Sequence, residues 1–231
     1  MVTLFGTLGF SPKKFLGAIP AVGARIERAV VYTAADTAKD VKRSDAAFRE
    51  VRDVLAAVDI RCEHRKFSSP WNFNEIARTF IQDLSKEDPQ NVVFNLTGGP
   101  KTMTVAATIA CMVYGVRALY VPEESGDAGS PFVLPLLRIR YSQILTEAQA
   151  KLIEAVKRHE PRTLDELAGI LRRSNATISF HAQRLEALGA LTFLPDSKNR
   201  LMRSPRVTFT GEIMLMAEQV LSRSAQRRET G

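Results

Sequence analysis

Along the first 140 residues the apolar positions alternate between two spacings. Residues 2–5 and 28–33 are short β-rich runs. Residues 44–58 switch to helical spacing, with Ala47, Val51, Val54, Leu55 and Val58 on one predicted face. A weak third strand follows at 62–67. Residues 74–84 are again helical, with Ile76, Phe80, Ile81 and Leu84 apolar. Residues 92–96 (VVFNL) and 118–121 read as buried strands. Between them 102–114 is a helix that is apolar nearly all round. Residues 132–139 are expected to close the unit as edge β structure. Strands alternating with helices predict an α/β fold, Rossmann-like, with a mostly parallel sheet and right-handed crossovers.

The pattern changes near residue 142. Thr146 and Gln149 form a predicted capping box opening a helix to about 159, and Thr163 with Glu166 forms a second, opening a helix to about 171. A third helix is expected over 175–188, with Ser174 as N-cap and Gly189 as its stop. Two strands, 191–194 and 206–209, flank a turn at 195–199, and a last helix spans 211–221. Helix, helix, helix, hairpin, helix is the order of a winged helix-turn-helix domain. The predicted organisation is a Rossmann-like domain at 1–143 and a winged helix at 144–231.

Charge sharpens this division. The net charge is +7. Residues 172–206 hold seven basic residues against two acidic ones, so a polyanionic partner is favoured there. No apolar run reaches the roughly 18 residues of a membrane span, and no leader segment is evident, so a cytoplasmic protein without a membrane partner is expected. Cys62 and Cys111 are too few for a disulfide framework and read as small core residues. His64, His159 and His181 make no ligand spacing, so no metal site, cofactor or catalytic residue is assigned.

The most specific local signal is LDELAGILRRSNATISFHAQRLEALGAL, 164–191. Leu164, Leu167, Ala168 and Leu171 form one apolar stripe, and Ile178, Ala182, Leu185 and Leu188 form the next. Two short helices on a tight turn can present the start of the second to a DNA major groove. Asn175, Thr177, Ser179 and Gln183 are then candidate base readers, with Ser174 at the helix end. Arg172, Arg173, Arg184 and the wing residues Lys198, Arg200 and Arg203 are candidate phosphate contacts. The alternative is a winged helix that contacts only protein.

A second motif, Asn95-Leu-Thr-Gly-Gly-Pro-Lys-Thr-Met103, joins the 92–96 strand to the most apolar helix. Pro100 is expected at the first helical position. Free N–H groups and the helix dipole there favour anions, and Lys101, Thr97 and Thr102 add a charge and hydroxyls. The spacing of a P-loop is absent, and a plain tight turn is the bland reading. The first strand ends in Thr7-Leu8-Gly9-Phe10-Ser11. In a doubly wound sheet the first and fourth strands can be neighbours, which would set this run beside 97–103.

TLGFSP after the first strand, NLTGGPKTM after the fourth and a C-terminal winged helix together resemble the CRISPR-associated CARF–winged-helix transcriptional regulators. The resemblance implies a homodimer that holds a cyclic oligoadenylate second messenger across its two CARF-type domains and binds double-stranded DNA, in antiviral defence. It implies a ligand pocket lined by Thr7, Leu8, Gly9, Phe10, Ser11, Thr97, Gly98, Gly99, Lys101, Thr102 and Met103. Pro100 stands where this family often has a threonine, which removes one N–H and one hydroxyl. Two other readings stay open: a metal-independent ring nuclease on the same pocket, and a sensor of an unrelated anion. A dimer is also expected from the composition of the 102–114 helix and of the last helix, whose apolar residues exceed what one buried face needs.

Overall fold

The computed structural model describes residues 1–124, 127–136, 144–195 and 203–218. The chain divides into two compact units, Met1–Ile139 and Arg140–Gly231.

The first unit alternates as β1 (Val2–Thr7), α1 (Lys13–Gly17), β2 (Ile26–Ala34), α2 (Ala38–Ala56), β3 (Arg61–Phe67), α3 (Phe73–Leu84), β4 (Val92–Asn95), α4 (Lys101–Tyr114) and β5 (Arg117–Tyr120). A small hairpin, β6 (Glu123–Glu124) and β7 (Asp127–Ala128), precedes β8 (Phe132–Val133). The sheet order is β3-β2-β1-β4-β5-β8. The first five strands pair in parallel, and β8 runs antiparallel to β5. This is a Rossmann-like α/β architecture. β1 lies directly beside β4, with Gly6 opposite Asn95.

Successive strand residues point to opposite faces, which gives the sheet two cores. Leu4 and Leu8 join Phe15, Val31, Val51 and Leu55 in an aliphatic core. Phe5 belongs instead to an aromatic cluster: Tyr32 meets Phe80 edge on at 4.8 Å, and Phe80 meets Phe94 at 5.3 Å. Cys111 is buried, and burial raises the half-buried Cys62 thiol to about 11, far from a reactive thiolate.

α2 begins six residues before its predicted start. Thr37 caps it by accepting the Asp40 N–H at 3.1 Å. The first turns carry no buried residue until Ser44, so apolar spacing could not reveal them. Val54 and Val58, expected inward, are exposed. Ala47, Val51 and Leu55 already fill the space against the sheet. α4 buries Met103, Ala106, Ala107, Ala110, Cys111, Val113 and Tyr114, leaving Val105 as its large exposed apolar residue. One chain therefore covers most of what had seemed an excess of apolar surface.

The second unit is a winged helix: α5 (Glu147–His159), α6 (Leu164–Leu171), α7 (Asn175–Ala187), β9 (Leu191–Pro195), β10 (Arg203–Val207) and α8, helical over 209–218. β9 and β10 are antiparallel, Leu191 facing Val207. The α5 capping box is complete in both directions. That of α6 is half formed: Thr163 accepts from the Glu166 N–H, but the Glu166 carboxylate takes the Arg162 N–H. Leu152, Ile153, Val156, Leu167, Ile178, Ala182 and Leu185 are buried. Leu188, expected with them, is exposed, because α7 ends at Ala187 and Gly189 turns the chain at φ +70°. Ile213, Met214, Leu215 and Ala217 of α8 are buried within the single chain. Residues 137–139, 219–221 and most of the wing turn lie outside the described residues. Among the described residues no helix is long and apolar enough to cross a membrane.

Candidate functional site

The carboxyl ends of β1 and β4 lie side by side, and the turns that follow them touch through their backbones. A Cβ on Gly98 would stand 2.9 Å from the Leu8 Cα and nearer still to the Thr7 carbonyl oxygen. A Cβ on Gly9 would stand 3.1 Å from the Gly99 nitrogen. Gly99 itself has φ +78°, where other residues are strained. The glycines are therefore first a requirement of this backbone contact.

Asn95 locks the arrangement. Buried at the end of β4, it donates to the Lys14 carbonyl at 3.2 Å and accepts from the Thr97 N–H at 3.1 Å and the Thr97 hydroxyl at 2.7 Å. The Thr97 hydroxyl also accepts the Val121 N–H at 2.7 Å. The Thr102 hydroxyl donates to the Pro70 carbonyl. Pro100 is the N-cap, not the first helical residue: its ψ is 149°, and its carbonyl accepts the Met103 N–H at 2.9 Å. The N–H groups of Lys101 and Thr102 precede that first helical bond, where the helix itself offers no acceptor.

The predicted pocket residues thus separate. Thr7, Leu8 and Met103 are buried, and the Thr7 hydroxyl has no hydrogen-bond partner. Thr97 and Thr102 spend their hydroxyls on the fold. Phe10, Ser11 and Lys101 are exposed, over the half-buried Gly9, Gly98 and Gly99. The Arg43 guanidinium covers one face of the Phe10 ring at 4.0 Å. Lys14 is paired with Glu123 at 2.5 Å.

Two residues at this edge escaped the sequence reading. One is Arg43. The other is Trp71, which is 72% exposed with its indole N–H bonded to Asp36 at 2.9 Å. It follows Pro70, whose carbonyl holds Thr102. The usable signal was topological: in a parallel sheet the loops after β2 and β3 open on the same edge as those after β1 and β4.

In the winged helix, Ser174 caps α7 by accepting the Thr177 N–H at 3.2 Å. Its hydroxyl is also 2.8 Å from that of Thr177. The Asn175 amide donates to Asp165 at 2.6 Å. Both candidate base readers are thus held in local bonds. Ser179 is half-buried, whereas Gln183 and Arg184 are exposed. Arg172 and Arg173 are exposed at the α6–α7 turn, Arg172 with φ +51°. Arg203 is exposed on β10, while Lys198 and Arg200 lie outside the described residues. His181 is half-buried, with its ring edge on to Phe180 at 5.4 Å. Among the described residues no cluster of three metal-ligating side chains occurs.

Comparison with known proteins gives partial matches. The family profile HFX_2341_N:-like, N-terminal, matches residues 15–125, and the profile HVO_A0114 matches residues 144–210. No curated protein sequence matched. Among solved structures, the transcriptional regulator Tm0710 from Thermotoga maritima is 28% identical over 38% of this chain and 61% of its own, with a TM-score of 0.33. A point mutant of MepR from S. aureus, bound to an oligodeoxyribonucleotide, is 19% identical over 38% of this chain and 64% of its own, with a TM-score of 0.33. Can2 from Sulfobacillus thermosulfidooxidans, in complex with cyclic tetra-adenylate, is 13% identical over 94% of this chain and 57% of its own, with a TM-score of 0.43. The chain therefore spans less than two thirds of each of these proteins.

Proposed function

We propose that this chain is a ligand-controlled transcription regulator of the CARF–winged-helix kind, in which 1–143 senses a cyclic oligoadenylate and 144–231 binds double-stranded DNA. The observation that carries the reading is the backbone contact of the β1 and β4 turns. It brings the two runs that carry the family resemblance together at the sheet edge where ligands of α/β folds bind. Lys101 and the first N–H groups of α4 suit a phosphate. The exposed arginines around α7 suit a duplex.

The ligand is the cyclic tetramer, bound by two copies of this edge in a homodimer. A ring of four identical nucleotides contains a two-fold axis, so it offers both protomers the same contacts. The dimer rests on this symmetry, since the apolar faces of α4 and α8 are already largely covered. Isothermal titration of wild type and Lys101→Ala with cyclic tetra-adenylate tests the reading. Wild type should bind, Lys101→Ala should lose about tenfold or more, and ligand-free duplex binding should stay intact. Equal affinities would place the ligand elsewhere. No binding by wild type would favour the unrelated anion, and linear products in the cell would favour the ring nuclease.

A further inference from the structure

α7 turns Ile178, Ala182 and Leu185 into the domain. At about 100° per residue the opposite side is centred on Phe180, with Ala176 one turn before it and Gln183 and Arg184 one turn after. Phe180 is 55% exposed, although phenylalanine is among the residues most often removed from water. Its neighbours hold it in place. The Arg184 guanidinium lies over the ring, 5.4 Å from the centroid, and the His181 ring meets it edge on.

The polar readers expected from sequence are less available on this face, since Asn175 is held by Asp165 and Thr177 by Ser174. Exposed Arg172, Arg173 and Arg184 accompany the ring. The surface thus combines an apolar centre with a cationic surround. A partner that matches it is a polyanion with an apolar group on its recognised face. Duplex DNA has one such feature in the major groove, the 5-methyl group of thymine.

We infer that Phe180, with Ala176 beside it, reads thymine methyl groups, and that Arg184 positions the ring. This rests on the DNA-binding reading above. The test selects duplexes of about 20 base pairs from a random library on the full-length protein. The best sequence is then remade with deoxyuridine replacing each thymidine in turn, which removes only the methyl group. Wild type should weaken about fourfold at each contacted position. Phe180→Ala, at a side chain more than half exposed, should lose the discrimination at the position that Phe180 contacts while staying close to the wild-type melting temperature. A selected duplex indifferent to every replacement overturns the inference, as does a Phe180→Ala variant that retains the wild-type preference. If Phe180→Ala binds no duplex, the replacement series on wild type decides alone. Failure to select any duplex would instead overturn the DNA-binding reading itself.

Discussion

The sheet edge of the first unit and the outer face of α7 are built in opposite ways. The edge joins two segments about ninety residues apart, and its contact is made by main chain: Gly98 against Thr7 and Leu8, Gly9 against Gly99. Its polar side chains, Asn95, Thr97 and Thr102, are consumed in holding that contact. The α7 face comes from one continuous stretch, and its groups are side chains pointing away from the core. A site made of touching backbones tolerates almost no added atom. A site made of outward side chains tolerates substitution and loses only recognition.

The largest test of this contrast is a pair of glycines. Gly98→Ala forces a methyl group into the Thr7 carbonyl, which cannot move without moving β1. It should destabilise the first unit by about 3 kcal/mol, read by urea denaturation. Gly169 lies within α6 with nothing near its added Cβ, so Gly169→Ala should raise stability by about 1 kcal/mol. The same sign for both would break the comparison.

Within α7 the comparison sharpens between two amides. Gln183→Ala should reduce discrimination among duplexes by about 1–3 kcal/mol, measured by competition binding. Asn175→Ala should change discrimination less and stability more, because its amide is already spent on Asp165. Ser174→Ala removes the N-cap bond and should cost about 1 kcal/mol of stability, seen as a lower melting temperature.

A further test lies on β3. Burial, helped by Lys66, lowers His64 to about 4 from its usual 6.5, while Asp45 pulls the other way. Its ring stacks on Phe48 at 3.7 Å and lies 2.9 Å from the Thr33 hydroxyl. The folded protein thus disfavours the charged imidazole. The stabilisation from His64 is complete above pH 6.5 and is lost as pH falls toward 4. His64→Asn should flatten that part of the stability profile, followed as urea midpoints at about pH 7 and about pH 5.

Although α1 and the β6–β7 hairpin left no signal there, the alternation of β1 to β5 with α2, α3 and α4, the caps at Thr146 and Ser174, and the buried face at Ile178, Ala182 and Leu185 were legible in the sequence alone. Each depends on residues within a few positions of one another, where period and capping chemistry act directly. The adjacency of β1 and β4 was open in the sequence, and only the strand order decided it. Which polar groups remain free was decided by tertiary structure as well. Thr97 and Thr102 have the composition of ligand-binding hydroxyls, yet Asn95, Val121 and Pro70 engage them. Trp71 and Arg43 reach the candidate edge only because the loop after β3 and the first turns of α2 open where β1 and β4 end. A hydrogen bond between distant segments leaves no periodic trace in the chain, so no local pattern could have assigned these roles.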